Sequence, residues 1–154
     1  MSEPGRGLVE RAVTRVLTPG TVAEPGLLPQ VIEEVLRFRP PVQAAFRQAV
    51  RDVEVRGKTI PAGSLILLMI GAANRDPRQF PRPGRFDITR QPNAHIAFGH
   101  GIHFCIGAAL ARVEARVALT RFLERVPRFT LAAKWEPQPG FHVHGPTRLP
   151  IRLT

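Results

Sequence analysis

The chain has 154 residues, of which 44% are hydrophobic and 22% charged, a balance typical of one folded domain rather than a disordered chain. Its net charge is +10, but the 20 arginines and two lysines are spread along the chain, which argues against a dedicated nucleic-acid-binding protein. The single cysteine excludes an internal disulfide, and the longest apolar stretch, residues 64–71, is far shorter than the ~20 residues of a membrane span, so we expect a soluble cytoplasmic protein.

The chain begins with a turn-rich segment, residues 1–27, in which one short helix is predicted over Leu8–Leu17. A stronger helix is predicted over Leu28–Phe38, because Pro29 suits its first turn. Four apolar residues of this helix share one face: Val31, Ile32, Val35 and Leu36. The helix is expected to stop at the proline pair that follows it.

Short strands are predicted next, over Ala49–Val55, Lys58–Ile60 and Ser64–Ile70. The third is continuously apolar, so we expect it to be buried on both faces. Residues 72–93 are polar and rich in turns, which predicts a long irregular segment of the kind that often carries function. A second helix is predicted over Gly107–Arg125, with apolar residues at helical spacing: Leu110, Val113, Val117 and Phe122. The tail from Phe129 to Thr154 is expected to form short strands with turns at 137–140 and 145–146.

The loop before the second helix carries the one cysteine. Cys105 precedes the helix N-terminus, where unpaired N–H groups and the helix dipole stabilise an anion such as a thiolate. Gly99, Gly101 and Gly107 allow sharp turns and leave room for a flat, bulky group. A lone thiolate presented in this way suits axial ligation of haem iron.

Other interpretations of Cys105 remain open at this point. A lone cysteine is often a buried, inert residue. His95, His100 and His103 could join Cys105 in a zinc or copper site, although ligands so close along one loop would strain the coordination geometry. A reactive thiol paired with a histidine is also possible. Neither of the two chemical alternatives explains the three glycines around the cysteine.

The run from Phe98 to Gly107 resembles the haem-binding loop of cytochrome P450, Phe-x-x-Gly-x-x-x-Cys-x-Gly, in its soluble bacterial form. It matches at Phe98, Gly101, Cys105 and Gly107 and continues into the Leu-Ala-Arg of residues 110–112. Residues 34–37, Glu-Val-Leu-Arg, resemble the Glu-x-x-Arg signature of the family, and a spacing of three places both charged side chains on one helix face. The segments at 74–77 and 80–86 resemble the region that precedes the haem-binding loop in members of this family.

This resemblance implies a mainly α fold with small β-sheets (α+β), namely the C-terminal part of the cytochrome P450 fold, with the haem-binding region over residues 28–154. It implies haem b as cofactor, with Cys105 as the iron ligand. The other residues expected to hold haem are Phe98, which shields the sulfur, Gly99, Gly101, Gly107, and His103 and Arg47, which contact propionates. A structural network is expected to join Glu34, Arg37 and Arg85. Residues 40–46 and 141–146 match regions on the substrate side.

The function implied is that of a haem-thiolate monooxygenase that, when complete, oxidises a small organic substrate with O2, with Cys105 as its catalytic residue. Its basic charge would favour an acidic electron donor of the ferredoxin or flavodoxin type. The central helix that carries the family's acid–alcohol pair has no counterpart in the sequence, so we expect that this chain does not hydroxylate a substrate unaided. The alternatives are a non-catalytic haem-binding or interaction module and a basic nucleic-acid-binding protein.

Overall fold

The computed structural model describes residues 25–126, 128–133 and 136–153. The helix predicted over Leu8–Leu17 lies outside these residues, and the boundary at residue 27 stays a prediction. The α-helices are α1 (Leu28–Phe38), α2 (Ile70–Ala73) and α3 (Ala108–Arg125), with 3-10 turns at Pro25–Leu27 and Gly101–His103. The strands are β1 (Ala45–Gln48), β2 (Val53–Val55), β3 (Lys58–Ile60), β4 (Leu65–Leu68), β5 (Phe129–Leu131), β6 (Glu136–Pro137), β7 (Pro146–Arg148) and β8 (Ile151–Leu153).

The strands pair as four small antiparallel sheets of two strands each. β1 pairs with β4, β2 with β3, β5 with β8, and β6 with β7. The β2–β3 hairpin turns at Arg56 and Gly57, which both have positive φ, as a two-residue hairpin turn that matches the strand twist requires. Helices combined with small sheets confirm the predicted α+β class.

Helix α1 has the predicted bounds, with a proline in its first turn. Its inward face differs from the predicted apolar stripe, because Val35 is 44% exposed while Glu34 and Arg37 are fully buried. The two charged side chains can be buried because each is the other's partner. The other buried residues of the helix are Leu28, Val31, Ile32 and Phe38. The helix ends where the Arg39 N–H donates to the Val35 carbonyl, directly before Pro40.

Two of the predicted strands are wrong in part. The strand predicted over Ala49–Val55 begins only at Val53, because the Ala49 N–H donates to the Ser64 carbonyl and the Asp52 carboxylate accepts the Ala62 N–H. The segment predicted over Ser64–Ile70 contains β4 but is not buried on both faces. Leu65 is 74% exposed, because side chains on a sheet face are buried only where another element packs against that face.

Helix α3 begins one residue later than predicted and contacts α1. Its buried residues are Ala108 and Leu123, whereas the predicted apolar positions Leu110, Val113 and Val117 are exposed. The core therefore lies on the side of α3 that faces α1 and the segment before the helix. The segment predicted to be irregular, residues 72–93, is irregular from residue 74 onward, while its first two residues belong to α2. Across the described part of the chain, no helix combines the length and apolar character needed to cross a bilayer.

Candidate functional site

The loop that leads into α3 presents the thiol of Cys105 at the surface. The residue is exposed, so the inert, buried cysteine considered from the sequence is excluded. Its own backbone is fixed at both ends: the Cys105 N–H donates to the Phe98 carbonyl at 2.9 Å, and its carbonyl accepts the Ala108 N–H at 3.1 Å. The second bond places Cys105 directly before the first turn of α3, where the helix dipole stabilises a negative charge.

The three glycines around the cysteine have different roles in the structure. Gly99 and Gly101 have φ of 78° and 71°, the left-handed region that side chains other than glycine rarely adopt, and they turn the loop back toward the helix. Gly107 has a φ of −82°, so its backbone does not require glycine. A Cβ there would lie 3.8 Å from the Cys105 Sγ, which is ordinary contact, so this glycine leaves space beside the sulfur.

The surroundings of the thiol are unusually apolar for a surface. Ile102 and Ile106 are almost completely exposed, and Phe104 is half exposed. A thiolate is a ligand suited to haem iron, and apolar side chains suit the faces of a porphyrin. The residues that the loop presents therefore fit haem.

His95 is hydrogen-bonded through both of its ring nitrogens to groups other than the cysteine. Its Nε2 lies 3.0 Å from a carboxylate oxygen of Glu33, and its Nδ1 accepts the N–H of Ala97. Since Nδ1 is an acceptor, Nε2 must carry the proton and donate to Glu33. Among the residues that the structure describes, no three His, Cys, Asp or Glu side chains are arranged to hold a metal ion, so nothing there supports the zinc or copper alternative.

Glu33 is a site residue that the sequence did not reveal. Its carboxylate accepts two hydrogen bonds from Arg112 of α3, at 2.6 and 2.9 Å, in addition to the bond from His95. The Arg112 guanidinium also lies over the Phe98 ring, 4.6 Å from its centre. The hydrogen bond from Arg112 lowers the pKa of Glu33, and burial lowers the pKa of His95. At neutral pH a negative Glu33 thus joins a positive Arg112 and a neutral His95.

The Glu34–Arg37 pair forms the second polar cluster. Arg37 donates to Glu34 from Nε at 2.7 Å and from Nη2 at 2.8 Å, and neither side chain is exposed. Its three remaining N–H groups donate to backbone carbonyls of Asn74, Pro83 and Arg85. All five donors of the guanidinium are therefore satisfied, as burial of a charged group requires.

Arg85 joins this network through its backbone rather than through its side chain. Arg85 contributes its backbone carbonyl to Arg37, while its own residue is exposed. The guanidinium that approaches Glu34 belongs to Arg90, whose Nε lies 3.4 Å from a carboxylate oxygen. The Arg90 guanidinium also donates to the carbonyls of Pro81 and Arg85. These bonds hold the Arg90 side chain near Glu34 of α1.

The two residues expected at haem propionates are on the surface. Arg47 lies on β1 and donates to the carbonyl of its neighbour Phe46, while His103 ends the short 3-10 turn before Cys105. The two regions expected on the substrate side are neighbours in the structure. The Gln43 N–H donates to the His142 carbonyl, and the rings of Phe46 and Phe141 pack edge to face at 6.3 Å.

Comparison with known proteins gives a consistent result. The family described as Cytochrome P450 matches residues 14–140. Cytochrome P450 107B1 of Saccharopolyspora erythraea is 52% identical over 111 residues, which are 71% of this chain and 27% of that protein. Cytochrome P450 monooxygenase PikC of Streptomyces venezuelae is 46% identical over 136 residues, 84% of this chain and 32% of that protein.

Solved cytochrome P450 structures are similar to this chain over nearly its whole length. P450BioI, crystallised with an acyl carrier protein ligated to hexadec-9Z-enoic acid, has a TM-score of 0.86 and 39% identity, covering 96% of this chain and 40% of that one. CYP109E1 from Bacillus megaterium, in complex with testosterone, has a TM-score of 0.85 and 38% identity. The match covers 95% of this chain and 42% of that one.

The chain spans about a third of the length of the curated relatives it matches. Cytochromes P450 bind haem b, which confirms the predicted cofactor at the level of the family. Both the sequence match over residues 14–140 and the structural agreement lead to the same assignment. The chain belongs to the cytochrome P450 family.

Proposed function

We propose that this chain is the haem-thiolate part of a cytochrome P450 monooxygenase, with Cys105 as the catalytic residue and axial ligand of haem iron. The observation that carries the proposal is the exposed Cys105 thiol at the head of α3, surrounded by exposed apolar side chains. When bound, haem would supply the one-electron and dioxygen chemistry with which such an enzyme oxidises a small organic substrate.

Each residue of the loop has a task in this proposal. The hydrogen bonds from the Cys105 N–H to the Phe98 carbonyl and from the Ala108 N–H to the Cys105 carbonyl hold the backbone of the cysteine directly before α3. With haem bound, Phe98 would shield the sulfur from water, and the glycines would leave room for the porphyrin. Arg47 and His103 would hold the propionates of the haem, a task that suits the planar fork of arginine. Glu34, Arg37 and the carbonyl of Arg85 hold the preceding segment in place.

The substrate and partner remain those expected from the sequence. The aromatic contact between Phe46 and Phe141, with His142 at 6.0 Å from Phe46, offers an apolar surface to a small organic molecule. A net charge of +10 favours an acidic electron donor of the ferredoxin or flavodoxin type. We place the activity in the cytoplasm, where such donors act.

Haem binding is tested with the full chain, loaded with haem, reduced and exposed to carbon monoxide. Thiolate ligation gives a strongly red-shifted Soret band, which we expect for the native chain and not for Cys105→Ser. Failure to take up haem, or an identical band in the variant, would overturn the proposal. Salt-dependent binding of DNA by the haem-free chain would instead favour the nucleic-acid alternative.

Turnover requires a separate measurement. Peroxide can supply oxygen and electrons together, so oxidation of small organic molecules by the haem-loaded chain needs no electron donor protein. Product that forms with the native chain and not with Cys105→Ser supports the monooxygenase assignment. A red-shifted band without product would agree with the expectation that this chain does not hydroxylate a substrate unaided, and would leave the chain by itself as a haem-binding module.

A further inference from the structure

We propose that Glu33 and Arg112 are positioning residues for Cys105, because together they hold Phe98, whose backbone carbonyl fixes the cysteine. The role of Cys105 as a ligand rests on the function proposed above, but the positioning itself does not. It is carried by a continuous series of contacts from α1 to the thiol-bearing residue.

The series begins at α1, where Glu33 is held by contacts from two directions. Arg112 donates two hydrogen bonds to the carboxylate and His95 donates a third. The Ala97 N–H donates to the other ring nitrogen of His95, and this bond fixes the tautomer that donates to Glu33. Glu33 is therefore a fixed acceptor that faces α3.

Arg112 is the second step. Its third nitrogen, Nη1, donates to the carbonyl of Ala108 in its own helix, so all three guanidinium nitrogens are bonded. A guanidinium held in this way has a fixed plane, and the Phe98 ring lies against it at 4.6 Å. Lysine at this position would keep the charge but lose both the two-pronged bond to Glu33 and the flat face.

Phe98 is the third step, because it connects the ring contact to the cysteine. Its side chain contacts Arg112, and its carbonyl accepts the Cys105 N–H at 2.9 Å. Displacement of the ring would move the backbone of Phe98 and weaken that bond. The Glu34–Arg37 cluster differs in this respect, since its bonds go to the segment at 74–93.

The test compares Arg112→Lys and Glu33→Gln with a matched control, Arg121→Lys. Arg121 is on the same helix, is 70% exposed and pairs with Glu124 at the surface. The measurement is hydrogen exchange of the Cys105 amide in the haem-free full chain. The Arg39 amide at the end of α1 is the internal reference, because loss of the whole fold would accelerate both amides.

We expect the Cys105 amide to exchange at least about tenfold faster in Arg112→Lys and Glu33→Gln, relative to the Arg39 amide, and to be unchanged in Arg121→Lys. The double variant Glu33→Gln/Arg112→Lys should exchange no faster than Arg112→Lys alone, since the two residues act in series. Equal acceleration of both amides, or none at Cys105 although the unfolding midpoint falls, would show only a link between helices and would overturn the proposal.

The haem-loaded chain provides a second readout that does not depend on activity. If the thiolate is less well held, its donation to the iron weakens, and we expect a more positive reduction potential in Arg112→Lys than in Arg121→Lys. An unchanged potential, with unchanged exchange, contradicts the inference. If no variant and no native chain takes up haem, the proposed function fails while the exchange experiment still decides the positioning role.

Discussion

The Arg37 guanidinium donates to both carboxylate oxygens of Glu34, and neither side chain has any solvent exposure. A buried charge pair of this kind adds little net stability over a well-packed apolar pair, because both ions have lost their hydration. Removal of one partner is different, since it leaves the other charge buried and uncompensated. Arg37 also holds three backbone carbonyls, so its orientation by Glu34 organises the chain around it.

We therefore expect Glu34→Gln to lower the free energy of unfolding by about 3–5 kcal/mol, measured by urea denaturation. The matched control is Glu124→Gln, which removes a carboxylate from a surface pair with Arg121 and should change stability by about 0.5 kcal/mol or less. If both variants lose the same small amount, the buried pair is not what holds the segment at 74–93.

Two of the three glycines of the cysteine loop, Gly101 and Gly107, should respond differently to alanine. Gly101 has a φ of 71° and open space around its missing side chain, so Gly101→Ala meets only backbone strain, about 1–2 kcal/mol. Gly107 has an ordinary φ and serves as the N-cap of α3, where alanine in place of glycine costs about 0.5 kcal/mol or somewhat more. Urea denaturation of the two variants should rank Gly101→Ala as the less stable, and the reverse order would contradict the loop conformation.

The pH dependence of stability should show the buried His95. Burial lowers its pKa below the usual 6.5, so the unfolded chain binds a proton that the folded chain does not. Stability from this residue is fully present above pH 6.5 and is lost as the pH falls through the lower folded pKa. We expect the free energy of unfolding to fall less steeply with decreasing pH below 6.5 in His95→Gln than in the native chain. Identical slopes would show that His95 titrates normally.

Haem should stabilise the folded chain if it binds only there. At a free concentration one hundred times the dissociation constant, a single ligand adds about 2.7 kcal/mol to the free energy of unfolding. We expect a rise of the thermal unfolding midpoint with haem in the native chain and a much smaller rise in Cys105→Ser. An equal rise in both would mean that haem binds through apolar contact, without the thiol.

The sequence predicted those features whose signal is local. Prolines bound α1, helical spacing indicated α3, and a motif of ten residues identified the cysteine loop. It could not show which sides of these elements are covered, so Leu65 and Val113 were expected inside and are exposed. Burial depends on which residues, distant in sequence, pack against each side.

The polar contacts of Glu33 and Glu34 show the same limit of prediction from sequence. The position of Arg85 in a family pattern predicts that its side chain joins Glu34 and Arg37. In the structure Arg85 is exposed, and the irregular segment brings the Arg90 side chain to Glu34 instead. The contact between Glu33 and Arg112 joins residues 79 positions apart, and neither residue has a local pattern that names the other. Adjacent glutamates on one helix therefore serve two different clusters, which only the structure separates.

Glu34 accepts hydrogen bonds from the Asp87 N–H and from the side-chain amide of Asn93, and these bonds affect where a protease would cut the chain. An irregular stretch is normally where digestion starts, but this one is held to the buried Glu34 by a backbone N–H and by a side-chain amide. The β2–β3 hairpin is regular yet exposed along both strands, and its turn carries Arg56. A trypsin-like enzyme should therefore cut the hairpin before the longer stretch, which should be spared until the fold opens.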